Sequence, residues 1–403
     1  MQLKNKFKRK MTKKIIYLDN AATTQIDPKV LKEMLPFLKE SYGNASSSHK
    51  LGQEARDAVE NAREIIAKTI GAQAKEIYFT SGGTEANNWA LQGVFEANIN
   101  SGKNKIITTK IEHPSIIEVC ENLKKKGAEV IYLNVDKEGF VDLNQLEKEL
   151  IKEKGKNLLV SIIHGNNEIG TIQDLEKIGG VCKKYGALFH VDACQSFLKT
   201  EINVKKQGIN LLTINSHKIH GPKGVGVLFI NENVKIENLI FGGGQERKRR
   251  SGTENVAGIV GFASAVKLGL KEMKGNIEGM IKIRNYIIKE ILKIEKTKLN
   301  GPDFNQKGKR LCNNINISFS NIEGEAIQGW LNEEGIAVST GSACSSKKLE
   351  PSHVLLALGL SDFMANTSIR ITLSKFTTQK EADIFIKKLN VIVNRLRAIS
   401  PFK

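Results

Sequence analysis

The sequence predicts a two-domain α/β protein, with a mainly parallel, seven-stranded sheet in a large domain and a smaller α+β domain. Three observations predict this fold. The chain has 403 residues, more than a single hydrophobic core usually serves. Short apolar segments alternate with amphipathic helical patterns between residues 76 and 230, as in parallel sheets covered by helices on both faces. The alternation is lost after Val266, which indicates a second domain.

The domain boundaries follow from the same changes of pattern. We predict a basic, disordered N-terminal extension over residues 1–14 and a large domain over residues 28–266. Residues 15–27 and 267–403 are predicted to form the small domain together. The extension has basic residues but no apolar core, which argues against a secretory signal.

Each predicted strand of the large domain is a short apolar segment, and most precede an amphipathic helix. The first helix has Pro28 in its first turn, directly after Asp27 as a candidate cap. The predicted strands are 76–80, 105–109, 129–133, 158–163, 188–191, 211–214 and 225–230. The predicted helices are 28–38, 53–70, 84–98, 115–125, 143–152 and 175–185.

The small domain begins with an apolar strand over 15–19. Small residues follow it, including Ala21 and Ala22, and they suggest close backbone packing or the wall of a ligand site. The other strands predicted for this domain are 313–319, 337–339 and 368–372. Its predicted helices are 277–296, 326–334, 354–358 and 379–398.

Composition narrows the class of protein. Hydrophobic residues make up 40% and charged residues 26%, and no segment is long and apolar enough to span a membrane. The five cysteines are widely spread without a C-x-x-C pair, which argues against a disulfide scaffold and a metal site and favours the reducing cytoplasm. The net charge of +18 comes from lysines scattered along helix faces, so direct nucleic-acid binding is not expected.

Polar residues stand where the predicted parallel strands end, which is where α/β sheets bind ligands. Lys218 follows the apolar segment 209–214, and burying an uncompensated ammonium is costly. That cost is removed if Lys218 forms an imine or acts as a nucleophile or base. Asp192 ends another buried strand and needs a partner, which could be a pyridinium nitrogen, an arginine or a helix terminus. Gln195 could donate to a phenolate-type oxygen.

Three further strand ends carry candidate ligand-binding residues. Gly83 and Thr84 open a helix, whose exposed N–H groups could bind a phosphate, although a plain turn is the alternative. Asn167 could bind a ligand oxygen or serve only a tight turn. His113 could stack on a flat ring, shuttle protons or be purely structural. Together with Lys218, these groups are the set that pyridoxal phosphate needs.

The chain resembles the cysteine desulfurases of the NifS/IscS type, within the class V aminotransferases. The resemblance runs from Tyr17 to Pro401 and rests on eight ordered segments. These segments are Tyr17–Thr24, Ser81–Glu85, Asn166–Gly170, His190–Ala193, Ser216–Lys218, Arg250–Asn255, Gly341–Cys344 and Ser368–Arg370.

The resemblance implies a homodimer of pyridoxal phosphate fold type I that converts L-cysteine to L-alanine. It also implies a role for each matching residue, which we state as expectations. Lys218 would bind the cofactor covalently. Its phosphate would be bound by Gly83, Thr84, Ser216 and His217 of the same chain, together with Thr253 from the partner subunit. Asp192 would bind the ring nitrogen, Gln195 the ring hydroxyl and His113 the ring face, while Arg370 and Asn167 would bind the substrate.

Cys344 is expected to be the sulfur-accepting nucleophile. It lies in the polar, small-residue segment 339–346, where a cysteine is not serving a hydrophobic core. The resemblance implies that Cys344 becomes a persulfide and passes sulfur to an iron-sulfur scaffold or another sulfur carrier, and it could contact a cluster transiently. A selenocysteine lyase, another class V enzyme or a scaffold protein without turnover remain alternatives at this point.

Overall fold

The computed structural model describes residues 15–152, 154–340 and 350–401. The predicted N-terminal extension and Cys344 lie outside the described residues. Strands and helices within these ranges are numbered in chain order. The strands are β1 Ile16–Tyr17, β2 Ile77–Thr80, β3 Lys105–Thr109, β4 Glu129–Leu133, β5 Asn157–Ile163, β6 Leu188–Asp192, β7 Leu211–Asn215, β8 Gly226–Ile230, β9 Thr297–Leu299, β10 Asn314–Phe319, β11 Ile336–Ala337, β12 Ser339–Thr340 and β13 Ser368–Thr372. The helices are α1 Pro28–Lys39, α2 Lys50–Ile70, α3 Gly83–Asn98, α4 Pro114–Lys125, α5 Leu143–Lys152, α6 Leu175–Lys184, α7 Gln245–Lys248, α8 Val256–Ile291, α9 Gly324–Glu333, α10 His353–Ala357, α11 Asp362–Asn366 and α12 Gln379–Ile399.

The larger sheet has seven strands in the order β2-β8-β7-β6-β5-β3-β4. Strands β7, β6, β5, β3 and β4 are parallel, and β8 pairs antiparallel with both β7 and β2. Side chains of β3, β5 and β7 are buried at every position, because helices cover both faces of the sheet. The predicted α/β class and the mainly parallel, seven-stranded sheet are therefore confirmed.

A second sheet has four antiparallel strands in the order β12-β13-β10-β9. Next to it, β1 pairs in parallel with β11, so the start of the described chain joins the C-terminal part. A separate hydrophobic cluster forms here from Ile16 and Leu18 together with residues between 280 and 396. The predicted domain boundaries remain a prediction.

Helix α8 spans 36 residues and differs from the prediction at its N-terminal end. We expected a helix over 277–296, but α8 begins at Val256 and ends at Ile291. The first part of α8 is buried nearly all round, so it has no polar face to give a helical hydrophobic period. Asn255 begins the helix by accepting a hydrogen bond from the Gly258 N–H at 3.0 Å.

The fold brings one end of the large sheet against the small sheet. The segment after β1 connects them: the Thr24 N–H donates to the His217 carbonyl beyond β7 at 2.9 Å. On the other side, the Asn20 side-chain amide donates to the Thr372 carbonyl of β13 at 2.8 Å. These bonds place the carboxyl end of β7 opposite β13. In the described chain no helix is long and apolar enough to cross a membrane.

A buried ion pair fixes the chain before α8 to the edge of the large sheet. Both terminal nitrogens of Arg63 donate to the Glu246 carboxylate, at 2.7 and 2.9 Å, and both side chains are almost fully buried. Glu246 also accepts the Phe79 N–H of β2 at 2.8 Å. Glu246 has a φ of 45°, in the left-handed region that costs energy for a non-glycine residue. The ion pair and the hydrogen bond offset this strain.

We predict that Glu246→Gln lowers the free energy of unfolding by about 3 kcal/mol, because Arg63 then stays buried without its counter-charge. The measurement is chemical denaturation followed by circular dichroism. Glu60→Gln is the matched control: Glu60 also contacts Arg63, but it is half exposed, so its loss should cost under about 1 kcal/mol. Equal losses in the two variants would contradict the prediction.

Candidate active site

A cavity of about 320 Å³ lies at the carboxyl ends of the parallel strands, facing β13. Most of the predicted site residues line it. These are Gly83, Thr84, His113, Asn167, Asp192, Gln195, His217, Lys218 and Arg370.

Two predicted site residues, Ser216 and Thr253, do not line this cavity, and the position of a third lies outside the described residues. Ser216 is fully buried, and its hydroxyl has no hydrogen-bond partner among the described residues. Thr253 is exposed on the surface of its own chain. Cys344 lies outside the described residues.

Lys218 reaches the cavity from the turn after β7. Its ammonium donates to the Ala22 carbonyl at 2.7 Å and also to the Ala21 carbonyl. Gln195 donates to the same Ala21 carbonyl at 2.8 Å. Ala21 and Ala22 both line the cavity, so the small residues after β1 form a wall of the ligand site, one of the two expected roles. Carbonyl oxygens thus compensate the charge that the sequence placed at a buried strand end.

Helix α3 begins at the cavity wall. A side chain at Gly83 would put its Cβ 2.6 Å from the Cys194 sulfur, so only glycine fits without a shift. The first N–H groups of α3 are unpaired within the helix, and the helix dipole adds positive potential there. An anion such as a phosphate is therefore favoured beside Gly83 and Thr84.

Asp192 ends β6 at the floor of the cavity and is almost fully buried. One carboxylate oxygen accepts the Cys194 N–H at 2.9 Å, and the other accepts the Asn87 amide at 2.8 Å. Each ionised oxygen can accept a further hydrogen bond. Asp192 can therefore hold a protonated ring nitrogen while its present partners keep it in place.

The two cavity histidines are held in the neutral form. His113 caps α4, and its Nδ1 accepts the Ser115 N–H at 3.1 Å. Burial lowers the pKa of His113, Lys218 lowers it further, and Asp192 opposes the shift. Burial, reinforced by Lys218, lowers the pKa of His217 to about 4. At neutral pH both rings can therefore stack or exchange a proton without adding charge.

Arg370 comes from β13 and is buried at the opposite wall. Its terminal nitrogens donate to the Asp19 carboxylate at 2.9 Å and to the Asn167 carbonyl at 3.2 Å. Its Nε has no hydrogen-bond partner among the described residues. A buried guanidinium with a spare donor suits a carboxylate ligand.

Our sequence reasoning missed four polar residues of this site: Asp19, Asn87, Ser115 and Asn215. Asn87, Ser115 and Asn215 line the cavity, and Asp19 pairs with Arg370. Asn87 could have been found, because it lies four residues after Gly83 and therefore on the same helix face. The pairing of Asp19 with Arg370 joins residues 351 positions apart and has no local signal.

The family profile described as "Aminotransferase class-V" matches residues 16–385. The chain belongs to this family. A relative from Dictyoglomus turgidum, described as "Cysteine desulfurase IscS", is 49% identical over 97% of this chain and 98% of its own length. A solved "NIFS-LIKE PROTEIN" is 40% identical, with a TM-score of 0.88 over 95% of this chain and all of its own. A solved "SspA in complex with cysteine" is 33% identical, with a TM-score of 0.79 over 90% of this chain and all of its own.

Class V aminotransferases are pyridoxal phosphate enzymes, and the cavity fits this cofactor. Glycine at position 83 leaves the helix N-terminus open for a phosphate. Asp192 offers a carboxylate for the ring nitrogen, and Lys218 an amine within the same cavity. The Asn215 side-chain oxygen is buried without a hydrogen-bond partner among the described residues, so it can accept a hydrogen bond from a bound ligand. Pyridoxal phosphate is therefore the cofactor of this chain.

We predict that Gly83→Ala weakens pyridoxal phosphate binding about ten-fold or more, because the new methyl group pushes Cys194 or the helix start out of place. The measurement is a cofactor titration followed by absorbance. Cys194→Ala should restore most of the affinity in the double variant, since it removes the sulfur that the methyl group meets. Gly180→Ala is the control, as its added Cβ meets nothing within 4 Å. A double variant no better than Gly83→Ala would refute this explanation.

Proposed function

We propose that the protein is a pyridoxal-phosphate-dependent cysteine desulfurase, which converts L-cysteine to L-alanine and leaves the sulfur on Cys344 as a persulfide. One observation carries the proposal: a single cavity contains the Lys218 amine, the Asp192 carboxylate and the Arg370 guanidinium with its spare donor. The relative that is 49% identical over nearly the whole chain supports the choice of reaction.

When bound, pyridoxal phosphate supplies the electron sink that makes the substrate α-proton acidic. The residues of this chain bind and orient the cofactor and the substrate, and they move protons between them. Arg370 binds the α-carboxylate of cysteine, with Asn167 beside it, and Asp192 keeps the ring nitrogen protonated. Lys218 holds the cofactor and, once released by the substrate, removes the α-proton with its Nζ.

Sulfur transfer requires a nucleophile, for which we propose Cys344. Its thiolate attacks the substrate sulfur, so that an S–S bond forms as the Cβ–S bond breaks. The electron pair left on Cβ takes a proton, and alanine is the product. On the N-terminal side of Cys344, Ser339 of β12 pairs directly with Arg370 of β13. The described chain before Cys344 therefore runs beside the residue that binds the substrate carboxylate.

We further propose a homodimer in which Thr253 of the partner subunit completes the phosphate site. Thr253 is exposed and does not line the cavity of its own chain. Helix α1 exposes Leu31, Leu35 and Leu38, which share one face at helical spacing and are 39–59% exposed. A second copy covering this apolar face would remove it from water. The persulfide acceptor would be an iron-sulfur scaffold or another sulfur carrier in the cytoplasm.

We predict that Cys344→Ala keeps the visible absorption of the bound cofactor but lowers alanine formation from cysteine at least 100-fold. The expected cause is loss of the sulfur acceptor, measured by alanine release and by persulfide labelling. Ser345→Ala, in the same segment, is the control and should stay near the parent rate. Turnover that survives Cys344→Ala with selenocysteine alone would indicate a selenocysteine lyase instead.

Lys218→Ala should lose the visible absorption of the bound cofactor, because the imine with the lysine can no longer form.

We predict that Arg370→Lys raises the KM for cysteine about ten-fold or more, because an ammonium cannot replace the planar guanidinium in a two-bond contact with a carboxylate. Steady-state kinetics measure the change. Arg395→Lys is the matched control, since Arg395 stacks on Trp330 at the protein surface. An unchanged KM in Arg370→Lys would exclude Arg370 as the carboxylate-binding residue.

A further inference from the structure

A chain of hydrogen bonds joins Asp192 to His113 through two residues without an assigned role. The Asn87 amide nitrogen donates to the Asp192 carboxylate at 2.8 Å and to the Ser115 hydroxyl at 2.9 Å. The Ser115 hydroxyl lies 2.8 Å from Nδ1 of His113. Asn87 and Ser115 are both buried, and all four side chains line the cavity.

The direction of each bond follows from the chemistry of its ends. An ionised carboxylate can only accept, so the nitrogen of the Asn87 amide must face Asp192. Its second N–H then points to the Ser115 oxygen, which leaves the hydroxyl proton free for His113. The Ser115 backbone N–H also donates to Nδ1, at 3.1 Å. Nδ1 therefore carries no proton, and the neutral His113 ring holds its proton on Nε2.

This arrangement resists protonation of His113 at Nδ1, because a second proton there would oppose the Ser115 N–H. Three charged or titratable groups act on the ring from neighbouring segments: Asp192 from β6, Lys218 after β7 and His353 from α10. Asp192 favours the imidazolium, whereas burial, Lys218 and His353 disfavour it. The neutral Asn87 amide stabilises the Asp192 carboxylate by a hydrogen bond and adds no charge of its own.

We propose that Asn87 is a positioning residue that serves both sides of the cofactor ring: it holds Asp192 for the ring nitrogen and, through Ser115, fixes the tautomer of His113. The proposal deepens the proposed function and rests on it for the role of the ring. Asn87 itself acts through its neighbours. Its amide is the one group whose two donors meet both Asp192 and Ser115 in the described site.

Asn87→Asp tests the proposal with almost no change of shape. A carboxyl group at this position shares one proton with Asp192, because two carboxylates in contact cannot both stay ionised, and this weakens the negative charge that Asp192 offers the ring nitrogen. Its other oxygen can only accept from Ser115, which turns the hydroxyl proton away from His113. We expect the Asn87→Asp variant to bind pyridoxal phosphate at least ten-fold more weakly than the parent protein does. We also expect the titration midpoint of His113, followed by ¹⁵N resonances of labelled histidine, to rise by about one pH unit or more.

Ser115→Ala separates the two roles. It removes the link to His113 but leaves both hydrogen bonds of Asp192, so cofactor affinity should stay within about two-fold while the His113 ¹⁵N signals change. Asn98→Asp, at the other end of α3, makes the same chemical change and should alter neither reading. Circular dichroism and thermal unfolding confirm that each variant is folded.

The proposal would be overturned if the Asn87→Asp variant kept the cofactor affinity of the parent protein and its His113 titrated as in the parent. A loss of cofactor affinity without any change at His113 would also overturn it, since the link through Ser115 would then be absent. Should Asn87→Asp fail to fold, Ser115→Ala decides: unchanged His113 signals would refute the relay. These readings do not depend on alanine formation, so they remain distinct from a failure of the proposed reaction.

Discussion

The site depends on the hydrogen bonds that hold residues 19–24 between the two sheets. Thr24 is bonded to the turn that carries Lys218, while Asn20 is bonded to β13, which carries Arg370. The same short segment supplies the Ala21 and Ala22 carbonyls that receive the Lys218 ammonium. This segment therefore connects Lys218 after β7 to the strand that carries Arg370, in addition to the direct bond from Arg370 to the Asn167 carbonyl. One short backbone segment thus helps to position both the Lys218 amine and the Arg370 guanidinium.

The sequence predicted the large sheet well because its signals are local. Each buried strand is a short apolar segment, and a polar side chain at its end marks the ligand edge, as Asp192 does. The start of α8 was predicted wrongly for a related reason. Burial on all sides removes the polar face, and without it a helix has no period to detect.

The finer parts of the site could not be predicted from local pattern. Asp19 meets Arg370 because the segment after β1 is hydrogen-bonded alongside β13, which lies far along the chain, and Ser115 contributes through the direction of a single hydroxyl. The first contact joins segments remote in sequence, and the second depends on an orientation that residue patterns do not encode. The resemblance supplied the identities of several site residues, whereas the structure supplies their partners. Gly83 illustrates the difference, since its need for glycine lies in the Cys194 sulfur beside it.

The length of α8 has a consequence for how the protein unfolds. A 36-residue helix is roughly 54 Å long. Its N-terminal part packs in the core of the large sheet, through residues such as Phe262, and its C-terminal part in the core of the small sheet, through residues such as Ile287. Melting either core would expose the buried residues of one half of a continuous helix. We therefore expect α8 to couple the unfolding of the two cores.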